Sequence, residues 1–106
     1  MTTLNASKAP TQNPAHLGGT PYSQADFEQN PGKYELFRTA CIAESIASLP
    51  ELPAGTIVSI RYHTTRLNQA RGKVEMPIYL VWPADNEELK SQPAMLYACA
   101  LKDFCL

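Results

Sequence analysis

The chemistry open to this chain is set by a few clustered side chains. Arg61, Arg66, Arg71 and Lys73 fall within thirteen residues that hold no acid, so four of the nine Lys+Arg occupy one stretch. A projecting basic hairpin is one way to meet phosphate backbones, whose attraction is electrostatic and independent of sequence. The same cluster also suits a solvated surface hairpin, the commoner use of such charges. The aromatic residues read as core-directed, so no stacking platform for bases accompanies the charges. Asp85, Glu87 and Glu88 oppose this patch in sign, which makes the chain dipolar at a formal net charge of −1. Asp85 also reads as the cap of one helical turn, with both glutamates near its positive end.

Nucleophilic catalysis would need a thiolate, and Cys41, Cys99 and Cys105 are the candidates, with His63 as the base. Cys41 and Cys99 fall in apolar stretches, where a thiol behaves as a small hydrophobe. Cys105 stands one residue from the end of the sequence. Glu35, Glu44 and Glu51 lie on separate faces or turns, so no carboxylate pair is set up for acid–base work. His16 and His63 are the only histidines, and no pair of residues has zinc-ligand spacing. GxGxxG, GxxxxGK[ST] and HExxH are all missing from the sequence. No metal, no cofactor and no enzymatic activity are expected.

The elements that must position these groups can be read from periodicity. Residues 1–21 carry Pro10, Pro14, Pro21, Gly18 and Gly19 with few bulky apolar groups, and are expected to form an extended arm ahead of a single domain at 22–106. Ser23 with Asp26 resembles the start of a capping box, and Tyr22 and Phe27 fall at the positions of a hydrophobic staple. Asn30-Pro31-Gly32 ends that short helix, either as a turn or as the start of another with Pro31 in its first position. Residues 34–49 read as a second helix with several apolar stripes. One of them, Leu36, Ala40, Ala43 and Ala47, is small enough for another backbone to approach, so self-association into a homodimer is expected through it.

After Pro53 the period changes to alternation. Residues 56–63 and 74–82 read as strands, with Pro77 marking an edge or a bulge, and the long connector between them is a hairpin loop. Residues 94–102 read as a third strand, apolar on both faces and so expected to be central. The expected class is α+β: an extended N-terminal arm, two helices and a three-stranded antiparallel meander. The alternative is a small SH3-like barrel from residue 53 onward.

Composition narrows the function further. Hydrophobic residues make up 44% and charged residues 18%, and no apolar run is long enough to cross a membrane, so no membrane partner is expected. Three cysteines without a paired motif suit a reducing compartment, and the N-terminus has no apolar signal region, so a cytoplasmic location is expected. The function these features favour is a small non-enzymatic accessory protein that binds a protein partner. One alternative is nucleic-acid binding through the hairpin at 61–73. Another is a small-molecule binder or small enzyme with a pocket near His63.

Overall fold

The computed structural model describes residues 19–106. Most of the expected arm, residues 1–18, lies outside the described residues. Helix α1 (Gln24–Gln29) is capped as its sequence implies, with the Ser23 hydroxyl accepting from the Asp26 amide at 3.2 Å. Tyr22 and Phe27 each meet the ring of Tyr34 edge-on, at centroid distances of 5.5 and 5.8 Å. Helix α2 (Pro31–Tyr34) follows at once, with Pro31 in its first turn, where a missing N–H costs nothing.

The helix expected over 34–49 is not formed. Tyr34 ends α2, and strand β1 (Thr39–Ile42) takes its place. β1 lies between two other strands and is covered on both sides, with Ala40 and Ile42 fully buried and Cys41 nearly so. A strand apolar on both faces shows no alternation, and its neighbours then mimic the several stripes of a buried helix.

Strand β2 (Ile57–Asn68) runs five residues beyond its expected end at 63, because Thr64 and Thr65 are β-branched and suit a pleated surface. The hairpin loop shrinks to a 3₁₀ turn, Gln69–Arg71. Buried Asn68 builds that turn, its Oδ1 accepting from the Ala70 amide at 3.2 Å. Gly72 (φ 84°) and Lys73 (φ 60°) then reverse the chain in the left-handed region. Strand β3 (Val74–Pro83) is interior, but its ladder with β4 (Ala94–Tyr97) starts only at Ile78. Pro77 therefore sits where β3 has one neighbour, and its missing donor leaves no gap in that ladder.

The expected third strand is broken. β4 ends at Tyr97, a 3₁₀ turn spans Ala98–Ala100, and β5 (Leu101–Cys105) follows. The expected central position is wrong as well. The five-stranded antiparallel sheet runs β4-β3-β2-β1-β5, so these two strands lie at its two ends. In a flat sheet those ends would be separated by roughly 19 Å, at about 4.8 Å per strand. The 3₁₀ link advances only about 2 Å per residue, so the sheet must curl until its ends approach. Ala98, fully buried, is small enough to cross at that point.

The class is thus α+β with a five-stranded antiparallel sheet in place of a three-stranded meander, and its first strand precedes residue 53. Inside the curl, Tyr34, Tyr79, Phe104, Ile42, Val58 and Val81 are almost completely buried. The Tyr79 hydroxyl donates to the Tyr34 carbonyl at 2.6 Å, which fastens α2 to the sheet. Beside β5, Thr20 and Phe104 exchange backbone hydrogen bonds, both at 2.8 Å. Among the described residues no helix is long and apolar enough to cross a membrane.

Candidate functional site

Strand register decides which of the basic residues act together. A β-bulge lies in β2 between Tyr62 and Thr64. Arg61 and Arg66 are five apart and would face opposite sides of an unbroken strand, because side chains alternate with a period of two. The extra residue, His63, restores their phase. Arg61 stands opposite Leu80 and Arg66 opposite Met76, and those two residues share one side of β3. His63 itself is exposed at the bulge.

The remaining members of the basic cluster go elsewhere. Exposed Arg71 sits in the 3₁₀ turn, and Lys73 lines a groove against α1 together with Glu28 and Glu75. The four cations therefore do not form one patch. The small stripe does not form either: Ala40 is buried in β1, Ala43 is half-buried beyond it, Leu36 is 60% exposed, and Ala47 is exposed in the following loop. With no helix to align them, these residues do not share the one helix face on which the expected seam was built.

What the register does assemble is a row across three strands. Arg61 of β2 lies opposite Leu80 of β3, which lies opposite Met95 of β4. Arg61 is exposed, Leu80 half-buried, and Met95 61% exposed although it is apolar. The neighbouring row on the same face joins Thr39, Ser59 and Trp82.

Beside these rows an open groove of about 380 Å³ is lined by Arg38, Ser59, Arg61, Trp82, Glu87 and Lys90. Arg38 is held by its backbone from both sides, its N–H donating to Cys105 at 2.7 Å and its carbonyl accepting from Ile60 at 2.9 Å. Lys90 comes from the 3₁₀ turn Glu87–Ser91, and its Nζ sits 5.7 Å from the centroid of the Trp82 ring. Trp82 is only 7% exposed, and its Nε1–H donates to Glu87 Oε2 at 3.0 Å. Among the described residues neither Arg38, Arg61 nor Lys90 forms an ion pair, whereas Lys33 and Asp26 do at 2.6 Å.

Asp85 caps nothing, since Asn86 precedes the turn, and Glu87 enters the same groove as the cations rather than opposing them from afar. Burial pushes the Cys41 thiol up to about 11, with the Asp103 carboxylate a smaller contribution, so it is held as a neutral thiol. Cys99 is half-buried, and neither it nor Cys41 is bridged.

Arg38, Leu80, Lys90 and Met95 were not legible as site residues. Arg38 fell within the expected helix, Lys90 within a polar connector, and Leu80 and Met95 on faces that alternation assigns to a core. Only the pairing of β3 with β4 brings Leu80 and Met95 together. A comparison with known protein families, curated proteins and solved structures finds no match.

Proposed function

We propose that this chain is a small non-enzymatic binding module that docks a protein partner on the outer face of β2, β3 and β4. The observation that carries this reading is the row Arg61–Leu80–Met95, which offers exposed apolar surface beside cations that form no ion pair among the described residues. Apolar anchors ringed by charge are the usual make-up of a protein-docking patch, and arginine and methionine are enriched there. The curled sheet, with a three-residue link between its end strands, reads as a small SH3-like barrel that presents this face on rigid strands.

Nucleic acid is the second reading, and two observations weigh against it. Trp82, the aromatic ring in the groove, is nearly buried and so cannot stack on bases, and Arg71 and Lys73 do not join Arg61 in one basic patch that a phosphate backbone could follow. The experiment is capture from nuclease-treated extract of the source cells, comparing the wild type with Met95→Asp. A protein retained by the wild type and weakened at least tenfold by the variant supports docking on this face. Binding that disappears with nuclease, or is indifferent to Met95→Asp, rejects it.

A further inference from the structure

We propose that the groove beside the docking row binds a phosphate monoester, the dianionic group that a phosphorylated side chain or a small phosphorylated metabolite carries. The inference deepens the binding-module reading and rests on it only in assigning the groove to the same face. It starts from charge balance. Arg38, Arg61 and Lys90 bring three positive charges to one groove of about 380 Å³, and Glu87 brings one negative charge. Glu87 accepts from the Trp82 indole N–H, and no cation of the groove is ion-paired among the described residues. Two positive charges are thus left over, and a phosphate monoester carries about −1.5 to −2 at neutral pH. A single carboxylate or a phosphodiester supplies only half of that.

The donors also suit the group. Arg38 and Arg61 carry guanidinium forks, whose paired N–H groups match phosphate oxygens, Lys90 adds a point charge, and Ser59 stands in the same groove wall. Lys90 is positioned over the Trp82 ring, and backbone bonds to Cys105 and Ile60 anchor the point from which the Arg38 side chain extends. A donor that is already positioned, as Lys90 is, loses less entropy when it binds.

Trp82 is the sole tryptophan of the chain, so its indole N–H resonance reports on this groove alone. The full chain is titrated with inorganic phosphate, O-phospho-L-serine, dimethyl phosphate and acetate at constant ionic strength. The expected result is a saturable shift of the Trp82 Nε1–H resonance with the two dianions, at least tenfold weaker with dimethyl phosphate and acetate. Arg38→Gln and Lys90→Gln should each weaken the dianions about tenfold, while the thermal midpoint stays unchanged because both side chains are exposed.

A phosphoserine peptide that outbinds free phosphate points to a phosphorylated protein as the source, and the reverse order points to a metabolite. A non-saturable shift, one matched by dimethyl phosphate, or one that survives the Arg38→Gln/Lys90→Gln double variant overturns the proposal. Met95→Asp lies outside the groove lining. A wild type that binds phosphate yet captures no partner overturns the docking reading alone, and one that captures a partner yet binds no phosphate overturns the phosphate site alone.

Discussion

Tyr79→Phe removes one oxygen from the centre of the molecule and tests how its short helices are held. The Tyr79 hydroxyl is completely buried and donates to the carbonyl of Tyr34, the last residue of α2, at 2.6 Å. A four-residue helix leaves its final carbonyls without partners inside the helix, so this side chain serves as the C-terminal cap. The phenylalanine ring keeps the contacts with Phe104 and Tyr62, whose centroids lie 5.5 and 6.2 Å away. The loss is therefore a buried hydrogen bond plus an orphaned acceptor, about 1–3 kcal/mol. For a domain of this size that lowers the midpoint of thermal unfolding by roughly 4–20 °C.

An alkaline arm sharpens the test. Burial raises the Tyr79 hydroxyl well above its ordinary value, and it pushes Tyr34 up to about 12 from 10.0. A phenol raised in the folded state ionises more readily in the unfolded chain. Its contribution is thus complete below pH 10 and is lost as pH climbs through the folded-state value. Urea unfolding at neutral pH, repeated above pH 10, should show the variant less stable at neutrality and with a shallower alkaline decline. An unchanged midpoint together with an unchanged alkaline slope would refute the capping role.

Three further outcomes are expected. A Cβ at Gly19 would collide with the Asp103 backbone carbonyl, so Gly19→Ala should release the Thr20–Phe104 pairing, read as faster amide exchange at Phe104 while the core amides keep their protection. Cys41, buried and held as a neutral thiol, should react with iodoacetamide far more slowly at pH 8 than in urea, and equal rates would contradict its burial. Asp26 is held below its ordinary 3.8 by its hydrogen bond from Lys33 and then by that from Tyr34, so it stabilises the fold above that value and the effect fades as pH falls. Asp26→Asn should accordingly flatten the acid limb of stability, and identical acid limbs would remove that role.

Much of the sheet can be read where one face is buried and the other wet. Val58 and Ile60 alternate with Ser59 and Arg61, and the strand is where that pattern puts it. β1 is hidden for the opposite reason, because covering on both sides erases the alternation. The break at Ala98–Ala100 was invisible because small apolar residues suit a buried strand and a tight crossing alike. The candidate face was half legible. Arg61 and Arg66 stood out by charge, but their common side depends on a one-residue bulge at His63, which leaves no mark in composition. Met95 joins Arg61 only through a partner strand more than ten positions away in the chain, a relation that local pattern does not contain.

The most direct test of the docking face places a photo-reactive p-benzoylphenylalanine at Met95, with a second copy of the label at exposed Glu51 as the control. Irradiation in nuclease-treated extract should give a discrete protein adduct from position 95 that is lost with Arg61→Glu and missing from position 51. No adduct at position 95, or the same adducts from both positions, would contradict a docking face on β2, β3 and β4.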